Sequence, residues 1–574
     1  MLVRAIIGVA LAAAASAQLG NLQDVGNGVH VPGAVPANLN EPLQHRLSFA
    51  GATGITVSWS SFNKLENPTV IYGESPQKLD QIASSTDSTT YPTSRTYNNH
   101  VKLTNLKPDT TYYYKVSYTN TANAAYRPLY TFQTSRAAGD PTPFTIATFA
   151  DLGLMGPDGL STKGCPNCPI TTLGPNETNT IQSLLVNAAD YKFLMHIGDI
   201  GYADYAFKEA VQGYFEGYSD TELPTREETA ILYESLSEQF FDQMQPVTAE
   251  RPWMVAPGNH GEQIFLSRGI KFCNLPTGLT LSLLLSTESQ CINGGYSPKK
   301  PLKPNNITGL DWCLEGQKNF TFYKEHYRMP SQESGGVNNF WYSFDYGLAH
   351  FIMLDTETDL GHGLEGPIED NGKQVNGPFG LMNQQVDWLK NDLNKVDRSK
   401  TPFVLVGMHR PYYVSVKPEP YPAWQQAFEQ IFIDNKVDLV MTGHVHIYER
   451  FAGMNNGTVD PNGWNNPSSP VYVNNGAAGH YDGLDTVDKV RQNGSLVAID
   501  SAYGWGRLTV HNTTHLTYEY IASTNGTVLD SATLFKSRDK KPTKPGRGPG
   551  NGPPGQQPNK PGKGPKPGKG SKRR

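Results

Sequence analysis

The chain has 574 residues, 37% of them hydrophobic and 10% aromatic, with a formal net charge of −5 and five cysteines. That length excludes a single ordinary domain, the apolar content suits one large core and one smaller, and five cysteines are too few for a disulfide scaffold. The charge is unevenly spread: Lys540 to Arg574 carries 11 Lys and Arg and no acid, which leaves −16 on everything before it.

In chain order, Met1 to Arg4 precede an apolar run, Ala5 to Ala14, and the small residues Ala15, Ser16 and Ala17. This is the charge, apolar core and cleavage site of a secretory signal over residues 1–17. The run is shorter than the ~20 residues a bilayer demands, so no transmembrane segment is expected. Export gives meaning to the sequons at Asn176, Asn306, Asn319, Asn456, Asn493, Asn512 and Asn525, which are expected on glycosylated surface loops. It also permits disulfides. Cys273, Cys291 and Cys313 share one segment, Cys165 and Cys168 suggest a local turn or bridge, and one thiol must stay unpaired within the chain.

After an N-terminal segment, 18–40, residues 41–138 read as short strands: GITVSWS (54 to 60), PTVIYG (68 to 73), and two strands within 100 to 120 joined by a Pro108-Asp109 turn. Leu106, Pro108, Thr110 and Tyr112 are similar to the tyrosine-corner region of fibronectin type III domains. Nothing in this sandwich concentrates titratable groups, so a structural spacer is expected.

Residues 143–535 change texture. Apolar strand runs occur at 144 to 150, 191 to 197, 252 to 257, 350 to 355, 403 to 408 and 437 to 442. Between them Ile231, Leu232, Leu236, Phe240 and Met244 step at helical spacing, as do Met382, Val386, Leu389, Leu393 and Val396. The expectation is an α/β domain whose sheets are covered on both faces.

Five of these strands end in metal-ligand side chains: Asp151, Gly198-Asp199, Gly258-Asn259-His260, Met408-His409-Arg410 and Gly443-His444-Val445-His446. Ligands gather at the carboxyl ends of strands in such sheets, so distant residues can converge. Singly each has a plain reading as a cap, a turn or a packed histidine, and His196 and His350, inside strands, take the last of these. Together, oxygen donors and imidazoles suit two cations clamping a phosphoester, with Asp199 as the natural bridge.

Asp151-x-Gly153, Gly198-Asp199-x-x-Tyr202, Gly258-Asn259-His260, Gly407-Met408-His409 and Gly443-His444-x-His446, in this order behind a fibronectin-like domain, resemble the purple acid phosphatases of plant and fungal type, within the calcineurin-like metallophosphoesterases. WYSFDYGLAHFIMLDTE (341 to 357) resembles the family's central strand pair. The resemblance implies an N-terminal all-β fibronectin type III-like sandwich followed by an α/β metallophosphoesterase domain, a β-sheet sandwich flanked by helices. It implies Fe(III) held by Asp151, Tyr202 and His446, a divalent zinc, iron or manganese held by Asn259, His409 and His444, and Asp199 bridging both. His260 would face the phosphate or protonate the leaving alkoxide.

The implied activity is hydrolysis of phosphomonoesters at acidic pH by a metal-activated hydroxide; the alternatives are a phosphodiesterase or nucleotide pyrophosphatase on the same scaffold, and a non-catalytic surface-binding glycoprotein. Two features depart from the family. The acid that usually follows the asparagine-histidine pair stands one place later, at Glu262, and no histidine pair follows His409. Arg410, Tyr412 or Tyr413 is then a candidate phosphate contact, Arg410 having an equal reading as a surface residue paired with an acid. The tail, 536–574, is basic and Pro/Gly/Lys-rich, cannot bury a core, and suits anionic cell-wall or polymer surfaces, or no specific partner; a specific nucleic acid is not expected.

Overall fold

The structure is a computed structural model. It describes residues 36–117, 128–155, 173–211, 215, 217–219, 221–259, 314, 316, 320–357, 384–417, 424–479 and 483–538, together with the backbone of 23–24 and 30–31. The proposed signal, all five cysteines, His260, Glu262, Asn306 and Asn319 lie outside these residues, as does the tail beyond 538. Residues Met1–Lys536 form one compact unit and Ser537–Arg574 a second.

The N-terminal strands make two four-stranded antiparallel sheets. Leu43–Phe49, Ile55–Ser61, Tyr97–Leu103 and Ser88–Thr89 lie in that order in one; Tyr130–Gln133, Thr111–Ser117, Thr69–Gly73 and Gln81–Ser84 in the other. Trp59, Val57, Val101, Val70, Tyr114 and Phe132 are buried between them, as alternation along half-buried strands requires. The two strands flanking Pro108-Asp109 do not pair with each other. Asp109 is left-handed, φ 46°, and the turn carries the chain from one sheet to the other. Its corner is fastened by the Lys107 N–H, which donates to the Tyr112 hydroxyl at 3.2 Å.

Two larger sheets follow. In one, Trp253–Ala256, Leu194–Ile197 and Phe144–Phe149 run parallel, continued antiparallel by Gly504–Val510, His515–Ala522 and Val528–Phe535. In the other, Ala349–Leu354, Phe403–Met408, Leu439–Thr442 and Val471–Asn475 run parallel, flanked by the antiparallel Tyr342–Tyr346 and Tyr448–Asn455. The central strands are continuous runs of Val, Ile, Leu, Met and Phe because both faces are covered. The sheets interlock through aromatic edges, Phe193 standing 5.6 Å from Phe344 and 5.3 Å from Phe351.

Helix Arg226–Thr248 opens with a capping box between Thr225 and Glu228 and buries Leu232, Leu236, Phe240 and Met244. Its polar flank meets the sandwich: Thr248 donates to the His45 carbonyl at 2.8 Å, and the His45 N–H donates to Gln245 Oε1 at 3.1 Å. Tyr91 and Thr93 donate to Glu234 at 2.7 and 2.9 Å, and Arg95 clasps Glu238. These contacts fasten the sandwich to the α/β domain, through acids that come from a helix more than 130 residues further along.

Helix Gln384–Lys395 buries Gln385, Trp388, Leu389, Asp392 and Leu393, a face shifted from the apolar stripe of the sequence. Hydrogen bonds cause the shift. Gln385 binds both backbone groups of Asp355, at 2.8 and 2.9 Å, and Asp392 accepts from Ser343 at 2.8 Å and lies 2.9 Å from His350 Nε2. Among the described residues no helix is long and apolar enough to cross a membrane. Asn176, Asn456, Asn493, Asn512 and Asn525 are all exposed.

Candidate metal centre

The carboxyl ends of the parallel strands from both large sheets point into one place. Asp151, Asp199 and Asn259 follow adjacent strands of the first sheet; His409, and His444 with His446, follow adjacent strands of the second. Tyr202 arrives through a further pairing, Leu152–Gly153 with Ile200–Gly201, which ties the turns after two strands together.

Four of these residues take the left-handed region that non-glycine side chains avoid: Asp151 at φ 61°, Asp199 at 51°, Tyr202 at 54° and His444 at 69°. Each costs roughly 1 to 3 kcal/mol, a concentration of strain typical of functional sites. The turns also demand closeness. A Cβ on Gly198 would lie 2.3 Å from His409 Nδ1, and one on Gly258 would lie 2.4 Å from Asp199 Oδ1. Glycine at both positions is what lets the donors meet.

The donors fall into two groups sharing one member. Asp199, His409 and His444 offer atoms within 4.8 Å of one another, as do Asp151, Asp199 and His446. Asn259 joins the first group, its Oδ1 3.0 Å from His409 Nε2 and 2.5 Å from His444 Nδ1. Tyr202 joins the second: its hydroxyl lies 3.1 Å from both Asp151 Oδ1 and Asp199 Oδ2 and 3.3 Å from His446 Nε2.

Electrostatics follow from burial. Asp151, Asp199 and His409 are fully buried and Tyr202 is 1% exposed. Burial, with Asp199 nearby, raises the Asp151 carboxyl; burial, then Asp151 and Asp199, pushes the Tyr202 phenol well above its ordinary range. For His409 burial pulls downward but the Asp199 carboxylate outweighs it, to about 9; for His446 burial is likewise outweighed, by Asp151, again to about 9. His444 goes well below its usual value, through burial and then through Arg410 and His409. Crowding two carboxylates, a phenol and three imidazoles out of water is costly unless cations share them. Hard oxygens beside borderline nitrogens fit iron, zinc or manganese, so the donor set suits the metals implied by the sequence.

Outer contacts hold the donors. His409 Nδ1 lies 3.0 Å from the Ile197 carbonyl, and His196, wedged between Phe149 and Trp253, sets Nε2 3.0 Å from the Asp199 carbonyl. The His444 N–H donates to Asp151 at 2.8 Å and the His446 N–H to Asp485 at 2.8 Å. Arg410 is 3% exposed, and its guanidinium binds Glu357 at 3.0, 3.1 and 2.8 Å. It is paired with an acid in the interior, not at the surface. Tyr412 packs on Tyr472, and Tyr413 donates to Glu429 at 2.5 Å, both buried. Sequence reasoning passed over Glu357 and Asp485. The first stood at the end of a sixth apolar strand, in Leu354-Asp355-Thr356-Glu357, where the strand-end rule applied as well as to the other five.

Comparison with known proteins places the same residues in context. The family model described as Purple acid Phosphatase, N-terminal domain matches residues 42–134, that of Calcineurin-like phosphoesterase residues 144–448, and that of Iron/zinc purple acid phosphatase-like protein C residues 469–531. Acid phosphatase A of Cryphonectria parasitica is 34% identical over 535 residues, 88% of this chain and 94% of that one. An acid phosphatase of Aspergillus ficuum is 31% identical over 82% of each chain, and the probable purple acid phosphatase 20 of Arabidopsis thaliana 26% over 84% and 86%. Among solved structures, purple acid phosphatase PPD1 from yellow lupin seeds superposes with a TM-score of 0.61 at 21% identity, covering 87% of this chain and 75% of that one.

Proposed function

Because the chain belongs to the purple acid phosphatases and is a metal-dependent acid phosphatase, we propose that Asp151, Tyr202 and His446 hold a ferric ion, that Asn259, His409 and His444 hold a divalent zinc, iron or manganese, and that Asp199 bridges them in a secreted phosphomonoesterase. The observation supporting this most is the division of seven donors into two groups that share Asp199 alone. Bound there, the metal pair would supply Lewis acidity, activating water for attack on phosphorus at acidic pH and shielding phosphoryl charge.

The residues do the rest. A phenol buried against two carboxylates loses its proton to solvent only where a strongly charged cation would take the proton's place on the oxygen, and a hard phenolate suits a trivalent ion better than a soft one. An imidazole whose Nδ1 faces the Ile197 carbonyl presents Nε2 inward, which fixes the donor atom of His409. His260, next in sequence after Asn259, is assigned delivery of a proton to the leaving alkoxide.

Asp199→Asn tests the reading. Metal content by elemental analysis and hydrolysis of an aryl phosphate monoester and its diester at pH 5 are compared with wild type. Loss of metal with a fall in kcat/KM on the order of 10²- to 10³-fold is expected. Full phosphatase activity without bound metal would refute the two-metal account, and a wild-type preference for the diester would move the substrate class. Amino-terminal sequencing of the same exported preparation, expected to begin near Gln18, checks the signal.

A further inference from the structure

The turn that bears His444 and His446 offers two backbone N–H groups to carboxylates: that of His444 goes inward to Asp151, that of His446 outward to Asp485, each at 2.8 Å. The outer contact is reciprocal. The Asp485 N–H donates back to the His446 carbonyl at 3.1 Å, and the same Asp485 Oδ2 lies 3.9 Å from His446 Nδ1, on the side of the ring away from Tyr202 and Asp151. The segment carrying Asp485 is itself anchored, since the Val487 N–H donates to Asp500 at 3.0 Å and the Asp488 N–H to the Ser415 carbonyl at 2.8 Å. The Asp485 side chain is 44% exposed against 13% for His446, so the carboxylate stands on the outer wall of the centre.

We propose that Asp485 is a positioning residue for His446: it clamps that residue's backbone from both directions and sets a negative charge beside Nδ1, so that Nδ1 keeps the ring proton and Nε2 is left as the donor toward the centre. A carboxylate behind a ligating imidazole orients the ring and raises its basicity. At 3.9 Å the carboxylate acts through its charge and through the backbone, not through a direct hydrogen bond to the ring. The inference rests on His446 being a ligand of the proposed ferric site.

Asp485→Asn and Asp485→Ala separate charge from backbone support. The Asn amide oxygen can still accept the His446 N–H, so thermal stability of the metal-stripped Asn variant should match wild type, while iron retention on dialysis falls about tenfold and the visible charge-transfer band expected of a Tyr202 phenolate on the proposed ferric ion shifts. The Ala variant should lose iron and melt earlier as well. An Asn variant with the iron retention and spectrum of a coloured wild type overturns the role of Asp485 alone; a wild-type protein that binds no iron overturns the ferric reading and this inference with it.

Discussion

Glu234 is the most informative place to perturb the junction between sandwich and catalytic sheets. It is 2% exposed on the helix flank that meets Tyr91, Thr93 and Arg95, with Glu238 one turn away and Gly316 packed over it. Burial, outweighing the two hydroxyl donors, raises its carboxyl from 4.5 to about 8; Glu238 adds to the rise and Arg95 opposes it. A carboxyl raised in the folded state costs nothing while both states are protonated, and stability is lost as pH climbs from the unfolded value through the folded one. The full span is worth about 5 kcal/mol at 1.36 kcal/mol per unit. Part of that range overlaps His45 and His100, which burial lowers to about 4 and whose contribution is lost in the opposite direction, as pH falls below their usual 6.5. Between pH 6.5 and 8.5 these histidines contribute only a small change, common to wild type and variant, and Glu234 should by itself account for about 2 kcal/mol of lost stability. Glu234→Gln keeps the shape and an acceptor for Tyr91 while removing the titration. Calorimetry of both proteins at pH 6.5 and 8.5 should show the wild-type Tm falling further than that of the variant, by about 2 °C for a chain of this size. Equal falls would refute the claim that Glu234 is buried in protonated form.

Tyr202→Phe should leave the fold and the divalent site in place while abolishing the visible band of the purified enzyme, whereas Tyr205→Phe, whose ring stacks 6.0 Å away at 7°, should stay coloured. A coloured Tyr202→Phe variant beside a bleached Tyr205→Phe variant would exchange the assignments. Gly198→Ala puts a methyl within 2.3 Å of His409 Nδ1 at a φ of 85°, so it should cost at least about 1 to 3 kcal/mol and lower divalent-metal retention before iron, as read by dialysis and elemental analysis.

The centre was legible because most of it obeys a local rule: Asp151, Asp199, Asn259, His409 and His444 stand one or two residues past an apolar run, such runs identify themselves by composition, and Tyr202 and His446 follow a few residues further along the same turns. What the rule cannot supply is direction. Nothing in Leu106 to Tyr112 says that the chain changes sheets at Asp109, since either partner offers the same alternation of apolar faces. Pairings across long separations were equally hidden. Arg410 and Glu357 are 53 residues apart, and Glu449, Glu234 and Asp392 look in sequence like the solvated acids of a strand or helix, yet each is buried against hydroxyls or an imidazole from elsewhere. Burial of a polar group depends on whether a partner exists to satisfy it, and that partner is defined only once the tertiary structure is formed.

The donors come from the ends of two different sheets, and this has a consequence for assembly. Neither sheet owns a full set: the first brings Asp151, Asp199, Tyr202 and Asn259, the second the three histidines, with 295 positions between the first donor and the last. A nascent chain that has not yet supplied His409, His444 and His446 has the oxygen donors and none of the imidazoles proposed as ligands, so tight capture of the ions waits until the second sheet has closed against the parallel strands of the first. Metal loading is thus a completion signal for folding, and the ions, by binding only the finished arrangement, act as a rivet whose strength rises with their free concentration.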